Sequence, residues 1–325
     1  MKKKINLVTG ASGFLGSHLV RELLKRGEDV RILIRPTSDI SSLENEKLEI
    51  FYGCLSDPDA VDSAVKGSDR VFNCAAYVQD YGPKDAFRKA NVIGVENLLN
   101  SCVQYHVSRI IHISSTDVYG FPEHAASEEE SFKKRPGFRY GNSKIESEKL
   151  IWDFYDKKQI PVTVFRPATI YGPRTPLLEE MVQMMRESRY IHIGRGNVHA
   201  GLIYVDNLIE AIMLSLESES SIGEAYNIID QENISFRQLA DTLIALTGSR
   251  KTYPVIPFSL AYAGGWFLER IYYLLGMRKR PVVTRMIACL FGVSQEISTE
   301  KIQKELNWAS SVSFAQAMKH IFPDS

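Results

Sequence analysis

The 325-residue sequence contains little cysteine, no excess of charge and no long apolar run. None of the cysteines forms a C-x-x-C pair, so the sequence predicts neither a metal site nor a disulfide framework and favours a reducing compartment, the cytoplasm. Lysine plus arginine number 39, as do aspartate plus glutamate. The charge therefore offers no case for nucleic-acid binding. The cysteines are Cys54, Cys74, Cys102 and Cys289.

The chain also lacks the signals of a membrane-spanning or exported protein. No charge-free apolar run is long enough to span a bilayer. Residues 2–4 are lysines that lead directly into an apolar strand, rather than into a cleavable signal. The hydrophobic fraction of 44% suits a folded core with a smaller second lobe.

Apolar runs of strand length alternate with helical periodicity along most of the chain. Segments 86–104 and 143–157 have the spacing of amphipathic helices. This alternation predicts an α/β fold in which a parallel sheet is covered by helices on both faces. The predicted strands are 6–9, 30–34, 48–52, 70–74, 109–114, 162–166 and 225–229.

A glycine-rich turn follows the first predicted strand. Gly10, Gly13 and Gly16 are followed by a segment, 17–25, with helical periodicity. Glycine permits a tight turn and close approach of the backbone to a pyrophosphate, and the helix N-terminus supplies amide donors. The G-x-x-G-x-x-G spacing is a variant of the dinucleotide fingerprint, and the strand–turn–helix context predicts a nucleotide site.

Tyr140 and Lys144 form a second informative pair. Four residues apart on a helix, they lie on one face, one turn from each other. A neighbouring ammonium favours the phenolate, so we expect it to depress the pKa of a tyrosine that exchanges protons near neutral pH. Alone the spacing is common; together with the glycine turn and an upstream serine it predicts a redox active site.

These two motifs, with five others in the same order, resemble those of extended short-chain dehydrogenases/reductases, the NAD-dependent epimerase/dehydratase family. Similarity is greatest to 3β-hydroxysteroid dehydrogenase-like and dihydroflavonol reductase-like members. The resemblance implies a Rossmann-type doubly wound sheet from residues 1–173 and 202–230, and a smaller, mainly helical substrate lobe from residues 174–201 and 231–325. The motifs are TGASGFLG (9–16), NCAA (73–76), NVIG (91–94), SSTDVYG (114–120), YxxxK (140–144), RPATIYGP (166–173) and YVDN (204–207).

The resemblance also implies roles for individual residues. Tyr140 is the expected general acid/base, and Lys144 is expected to hold it near phenolate and to bind the nicotinamide ribose. Ser115 occupies the position of the substrate-orienting hydroxyl, with Ser114 and Thr116 as alternatives. Asn91 matches a family asparagine beneath the site. The implied cofactor contacts are Gly10, Ser12, Gly13, Phe14, Leu15, Gly16, Arg35, Cys54, Leu55, Ala75, Ala76, Tyr140, Lys144 and Pro167.

The end of the second strand bears on the choice of cofactor. An acid there would accept from the ribose of NAD, whereas this chain has Arg35 and no acid until Asp39. A guanidinium can grip a 2′-phosphate, so we favour NADP over NAD, although arginine can also stack on adenine. Cys54 stands where the family often has an aspartate close to the adenine amine, and Asp57 is the nearby substitute.

The substrate is predicted from one missing cation and one apolar stretch. Sugar-nucleotide enzymes of this group carry an arginine where this chain has Ala200, although Arg174 or Arg195 could substitute. Residues 253–275 are rich in aromatic and aliphatic side chains, which suits a steroid-like or flavonoid-like substrate. The leading function is an NAD(P)-dependent oxidoreductase for a secondary alcohol or ketone. The alternatives are a sugar-nucleotide epimerase/dehydratase and a non-catalytic dinucleotide-binding sensor or assembly factor.

Two associations are further expectations. Relatives pair through a four-helix bundle, so we expect a homodimer through segments 86–104 and 143–157. The apolar C-terminal stretch ends in Arg278, Lys279 and Arg280, which makes weak membrane association through the C-terminal lobe a minor alternative to an ordinary substrate-lobe helix.

Overall fold

A seven-stranded parallel sheet lies at the centre of the computed structural model, which describes residues 3–122, 124–130, 132, 137–248 and 253–323. The strands in this part of the chain are β1 (Ile5–Thr9), β2 (Asp29–Ile34), β3 (Glu49–Tyr52), β4 (Arg70–Asn73), β5 (Arg109–Ile113), β6 (Val162–Pro167), β7 (Thr169–Tyr171), β8 (His192–Ile193), β9 (Leu202–Tyr204), β10 (Ala225–Ile228) and β11 (Val255–Ile256).

Helices connect and cover these strands. A 3₁₀ turn, Thr116–Tyr119, follows β5, and a π-helical turn, Lys89–Ile93, lies between the third and fourth helices. The helices are α1 (Phe14–Lys25), α2 (Pro58–Val65), α3 (Lys84–Arg88), α4 (Gly94–Gln104), α5 (Arg139–Lys158), α6 (Pro176–Arg186), α7 (Val205–Glu217), α8 (Phe236–Thr247), α9 (Phe258–Leu274), α10 (Arg285–Gly292), α11 (Glu300–Leu306) and α12 (Phe314–Ile321).

The main sheet has the strand order β3-β2-β1-β4-β5-β6-β10. The chain builds outward from β1 to β3 and then returns to place β4 on the other side of β1. The order therefore reverses between β1 and β4, and a crevice forms there at the carboxyl ends of the strands, which is where open α/β sheets bind ligands. The predicted doubly wound fold is confirmed.

Each face of the sheet is covered by its own helices. Helices α1 and α7 pack together on one face, while α4 contacts both α2 and α5 on the other. Strands β1, β5 and β6 are buried on both faces, as their apolar runs predicted, whereas the edge strand β3 is largely exposed. Helix α5 begins beside the carboxyl end of β5, which brings its first turn to the crevice.

A smaller lobe is built from segments on either side of β9–β10. It contains α6, α8, α9 and α10 and the two-stranded sheet β8–β11. Within residues 231–325, which the sequence analysis groups with the lobe, α11 packs against α7 and β10 of the main body. Trp308, which is buried, donates its indole N–H to the carbonyl of Asn207 in α7 at 3.1 Å. None of the described helices is long and apolar enough to cross a bilayer.

Candidate active site

The glycine turn after β1 is closely packed against the end of β4. Gly10 has φ of +70°, a left-handed conformation that favours glycine, and a Cβ there would lie 2.7 Å from the amide nitrogen of Ala75. A Cβ on Gly16 would overlap the carbonyl oxygen of Gly10. The amide of Gly13 donates to that same carbonyl at 2.9 Å and closes the turn. The two outer glycines are therefore required by sterics.

The N-terminus of α1 fits an anionic group. The helix begins after Gly13 with no side-chain cap and no acidic residue in its first turn. The first amides of a helix lack partners within it and lie at the positive end of the dipole. A dinucleotide pyrophosphate is the ligand that such a turn and helix terminus accommodate, so the residues here fit the cofactor that the sequence implies.

The other implied cofactor residues surround this turn. Ser12 is exposed within the turn, and Leu15 is buried. The ring of Phe14 lies close to Gly172, where a Cβ would be 3.1 Å from the ring. Ala75 and Ala76 follow β4 and are half-buried. Pro167 ends β6, beside Ile228 of β10. The structure brings the implied residues at the ends of β1, β4 and β6 to one edge of the sheet.

Arg35 and Cys54 lie together at the ends of β2 and β3. The amide of Gly53 donates to the carbonyl of Ile34 at 2.8 Å, which joins the two strand ends. Arg35 is exposed, and none of the described residues pairs with its guanidinium. Partial burial raises the pKa of the Cys54 thiol, but hydrogen bonds from Ser56 and the charges of Lys89 and Arg35 outweigh it and lower the pKa.

Two neighbours of Cys54 are engaged in local structure. Asp57 accepts the amide of Ala60 at 3.4 Å and caps α2. Leu55 is buried and its carbonyl accepts the side-chain amide of Asn97 at 2.9 Å, which ties this loop to α4.

Ser115, Tyr140 and Lys144 meet at the carboxyl end of β5. All three are buried. Lys144 donates its ammonium to the carbonyl of Ile113, the last residue of β5, at 2.7 Å, and its Nζ lies 5.8 Å from the centre of the Tyr140 ring. Ser115 hydrogen-bonds Tyr140. Because α5 starts one residue before Tyr140, its first two turns present both side chains to the strand end.

The structure distinguishes the three candidate hydroxyls. Ser114 donates its hydroxyl to the buried carboxylate of Glu148, one turn beyond Lys144 on α5. Thr116 is buried in the 3₁₀ turn. Ser115 caps that turn by accepting the amide of Asp117 at 3.1 Å and also bonds Tyr140, so it is the hydroxyl at the site.

The expected depression of the Tyr140 pKa is wrong for this structure. Burial raises the pKa of the phenol well above its usual value, the charge of Asp117 raises it further, and the hydrogen bond with Ser115 only partly opposes them. The ammonium of Lys144 is bonded to the carbonyl of Ile113, so it does not reverse this shift. The sequence spacing gave the proximity of the pair but not the burial that dominates its titration.

The pKa of Lys144 is also shifted from its usual value. Burial lowers its pKa to about 8, although the charges of Glu148, Cys74 and Asp117 oppose the shift. The carboxylate of Glu148 is fully buried and accepts the guanidinium of Arg166 at 2.7 Å. This buried ion pair joins α5 to β6 directly beneath the lysine. Glu148 could have been found in the sequence, because it lies four residues after Lys144 on the same helix face.

Asp117 is a functional candidate that the sequence analysis did not single out. It lies in the 3₁₀ turn of the SSTDVYG motif, and burial raises the pKa of its carboxyl to about 6, against the opposing effects of Ser115 and Lys144. Its charge in turn acts on Tyr140 and Lys144. The sequence feature that could have identified Asp117 is its position two residues after Ser115.

Asn91 positions the site from below. It is buried in the π-helical turn between α3 and α4, where its carbonyl oxygen accepts the amide of Tyr77 at 2.7 Å. Its side-chain amide donates to the carbonyl of Tyr77 at 3.2 Å and to the hydroxyl of Ser143 at 2.9 Å. Asn91 thus ties the loop after β4 to α5, and in this structure its hydrogen bonds go to neither Tyr140 nor Lys144. π-Helical turns are frequent at functional sites.

A buried polar network supports the strand ends. The hydroxyl of Thr9 donates to the side-chain oxygen Oδ1 of Asn73 at 2.7 Å, and the side-chain nitrogen of Asn73 bonds the Nδ1 of His112 at 3.0 Å. Burial, and then the charge of Lys144, lower the pKa of His112 well below its usual value. A neutral histidine therefore completes a polar link across β1, β4 and β5 under the crevice.

The lobe contains an apolar cavity of about 370 Å³. Such a volume is typical of small-molecule sites. Ala200, the position of the missing cation, is fully buried, and of its two candidate substitutes Arg174 lies beside α1, close to His18 and Arg21. The walls of the cavity come from α6, α9, α10, β8 and β11 and include Met181, Met184, Ile193, Ile256, Leu260, Leu268, Val283, Ile287 and Phe291.

Known proteins of similar sequence include reductases and dehydrogenases. The 2-alkyl-3-oxoalkanoate reductase of Stenotrophomonas maltophilia (strain K279a) is 29% identical, with 97% of each chain aligned. The human sterol-4-alpha-carboxylate 3-dehydrogenase, decarboxylating, is 28% identical over 96% of this chain and 86% of its own length.

Solved structures and a family model complete the comparison. The UDP-glucose 4-epimerase of Thermotoga maritima, solved with UDP-glucose, has a TM-score of 0.79 at 23% identity over 98% of this chain and 97% of its own, a likeness of fold. The model of the NAD dependent epimerase/dehydratase family matches residues 6–228, which carry the main sheet and the candidate site. As its motifs predicted, the chain belongs to the NAD-dependent epimerase/dehydratase family.

Proposed function

We propose that this enzyme transfers hydride between a nicotinamide cofactor and a secondary alcohol or ketone of a largely apolar substrate. The observation that carries the proposal is the apolar cavity of the lobe. A site that holds two phosphates needs cations that are free to bind them. This cavity is lined mainly by aliphatic and aromatic side chains, and its two arginines, Arg189 and Arg280, are already paired with Glu187 and Glu180.

Contacts between the lobe and the main body bring α9 to the start of α5. The guanidinium of Arg139, the residue before Tyr140, lies 4.4 Å from the ring centre of Tyr273. Tyr273 stacks on Tyr81 at 4.6 Å, and the hydroxyl of Tyr81 donates to the carbonyl of Met277 at 3.0 Å. The lobe that holds the apolar cavity is thereby fixed beside the helix that carries Tyr140.

The side chains at the end of β5 support a separate catalytic role for each residue. Bound nicotinamide supplies or accepts the hydride. Ser115 orients the substrate oxygen, and Tyr140 donates a proton to a carbonyl oxygen or removes one from a hydroxyl. The buried ammonium of Lys144 stabilises the phenolate left when the proton is given up and is placed to bind the cofactor ribose.

We further propose a substrate with the oxygen function next to a carbon that bears a carboxylate. The names of two relatives share this pattern: a 3-oxoalkanoate alkylated at carbon 2, and a sterol 4-carboxylate dehydrogenated at carbon 3. Both couple a β-oxygenated acid to a large apolar group. The cavity suits the apolar part of such a molecule.

A cofactor-consumption assay tests the proposal. We expect 2-alkyl-3-oxoalkanoates or 3-oxo-steroid acids to oxidise NADPH or NADH with one equivalent of cofactor per product, and UDP-sugars to give neither binding nor turnover. Tight, stoichiometric binding of a UDP-sugar, with its epimerisation and no net cofactor change, would replace this function by the sugar-nucleotide epimerase. Cofactor binding without turnover of any of these compounds would favour the non-catalytic sensor or assembly factor.

We also propose NADP as the preferred cofactor, a homodimer as the working state and the cytoplasm as the location. Arg35, which is exposed at the end of β2 and pairs with no acid in the described part of the chain, supports NADP as the cofactor. The adjacent helices α4 and α5, with half-buried Leu150 and Phe154, support the second. All four cysteines are unpaired, which suits a reducing compartment. The division into the two predicted domains likewise remains our proposal, with α11 and α12 assigned to the main body.

A further inference from the structure

Helix α9 has an inverted pattern of burial. The residues it buries against the protein are Ala261, Gly265 and Glu269, two small residues and an acid. A Cβ on Gly265 would lie 2.7 Å from the carbonyl carbon of Thr284, so the helix is held close to the start of α10. An ordinary surface helix does the opposite and buries its large apolar side chains.

The large side chains of α9 face outward instead. Phe267 is 59% exposed and Leu274 is 86% exposed, and Tyr262 and Trp266 flank them. The apolar surface continues past the end of the helix. We call the outward surface of Leu260, Tyr262, Trp266, Phe267, Leu274, Leu275 and Met277 the α9 face. Contiguous exposed apolar surface of this kind marks an interaction site.

The exposed charges of residues 253–282 have one sign. The single acid in residues 253–282 is Glu269, which is buried and bonds Arg285 through its amide at 2.7 Å and its guanidinium at 2.7 Å. Arg270, Arg278 and Lys279 are all exposed. The guanidinium of Arg270 lies 5.4 Å from the ring centre of Trp266. An apolar face that carries aromatic residues and is bordered by cations is the pattern of a segment that lies in a membrane interface.

The apolar cavity opens beside this face. Leu260 and Val282 line the cavity and are also 62% and 87% exposed. Arg280, at the same rim, bridges to Glu180 of α6 and, at 3.7 Å, to Asp80 of the main body. The mouth of the cavity is therefore surrounded by the same surface that exposes apolar side chains.

We propose that the α9 face docks on a lipid bilayer with anionic headgroups. The aromatic and aliphatic side chains enter the boundary of the acyl chains, and Arg270, Arg278 and Lys279 contact the headgroups. This goes beyond the proposed function, and one part rests on it: an apolar substrate would enter the cavity directly from the membrane.

The charges favour a membrane over a second copy of the chain. Two copies that joined through the α9 face would add a second set of exposed cations, with no exposed acid in residues 253–282 to pair with them. The expected dimer also uses α4 and α5, which are separate elements.

Sedimentation with sucrose-loaded vesicles tests the docking. We expect the protein to bind vesicles of phosphatidylcholine and phosphatidylglycerol, to bind pure phosphatidylcholine far more weakly, and to lose affinity as salt is raised. Arg278→Gln with Lys279→Gln should weaken binding by roughly tenfold or more. Phe267→Ser with Leu274→Ser should abolish it, because the side chains removed are those that enter the bilayer.

Tyr52→Ser is the matched control, since Tyr52 on β3 is 61% exposed, like Phe267, but lies on the far edge of the sheet. It should bind as the wild type does. Trp266 fluorescence should shift to the blue on binding, and Trp266→Phe should remove that shift while binding persists.

Three results would overturn the proposal. The first is that the protein binds neither kind of vesicle, and the second is that binding survives Phe267→Ser with Leu274→Ser. The third is that the wild type is an oligomer, binds no vesicle and is dissociated by these substitutions, which would make the α9 face an interface between copies. The vesicle assay needs no substrate, so its result stands whether or not the proposed reaction is found.

Discussion

Tyr140 lies in a setting that keeps its phenol protonated in the absence of ligands. Burial and the charge of Asp117 raise its pKa. We propose Tyr140 as the group that exchanges a proton with the substrate oxygen. Tyr140→Phe should lower turnover by about 10²–10⁴-fold, the usual value of general acid/base catalysis, while cofactor still binds. Steady-state rates and cofactor fluorescence titration measure the two effects.

The control for that substitution is Tyr155→Phe, which removes a hydroxyl from the last turn of the same helix. It should leave turnover unchanged. Near-normal turnover by Tyr140→Phe, with the chemical step rate-limiting, would show that another group moves the proton.

Asp117 gives a prediction about pH. Its negative charge raises the pKa of Tyr140, so Asp117→Asn should lower that pKa. Alcohol oxidation needs the phenolate and rises with pH through the tyrosine pKa; the rise should therefore move to lower pH in the variant. The effect belongs to the range above about pH 6, where Asp117 is ionised.

The pH profile of kcat for oxidation, measured for both proteins, checks the prediction. Asp153→Asn, an exposed carboxyl of α5 paired with Lys157, should leave the profile in place. An unmoved profile in Asp117→Asn would mean that the charge is screened from the phenol.

Arg35 decides the preference for cofactor if its guanidinium contacts a 2′-phosphate. Arg35→Asp should weaken NADP binding by between about tenfold and a hundredfold, since a charge-assisted hydrogen bond is lost and a repulsion is added. The affinity for NAD should change little. Titration of both cofactors measures this. The control is Arg26→Asp, at the C-terminal end of α1, which should change the affinity for neither cofactor. An equal loss of affinity for both cofactors in Arg35→Asp would contradict the assignment.

At the scale of elements, α9 is held to α10 by the absence of a side chain. A Cβ on Gly265 would lie 2.8 Å from the amide nitrogen of Arg285, whereas nothing lies within 4 Å of one on Gly264. Gly265→Ala should destabilise the protein by about 1–3 kcal/mol through overpacking. Gly264→Ala should be neutral or stabilise it by up to about 1 kcal/mol, through helix propensity.

Urea denaturation of the two variants provides the measurement and its own control, because the same substitution is made at adjacent positions. Equal midpoints would show that α9 can move away from α10 at no cost. That result would also remove the steric reason for its outward-facing aromatic side chains.

Strands could be predicted from the sequence because buried parallel strands are short, continuous apolar runs. Each of the seven predicted strands is present, with ends that differ by one residue. The glycine turn and the Tyr140–Lys144 pair are local patterns, so they too were visible. What the sequence could not show depends on the fold: the burial that raises the pKa of Tyr140, the hydrogen bonds of Asn91 to Tyr77 and Ser143, and the outward direction of the aromatic residues of α9.

At the scale of the whole molecule, the proposed dimer can be separated from the proposed membrane contact. Light scattering at micromolar concentration should give twice the chain mass of 36.8 kDa. Phe267→Ser should not change this mass, because α9 lies outside the expected α4–α5 interface. A monomer would contradict the dimer, and a monomer only in Phe267→Ser would move the interface to α9.

The position of β10 in the main sheet has a consequence for biosynthesis. Strand β6 pairs with β5 on one side, and its other neighbour is β10, which the ribosome makes only after α6, β9 and α7 of the intervening chain. Until Ile228 has emerged, β6 remains an open edge of apolar sequence, the type of surface that joins nascent chains to one another. Nascent chains from which β6 has emerged but β10 has not would therefore be the species most in need of a chaperone.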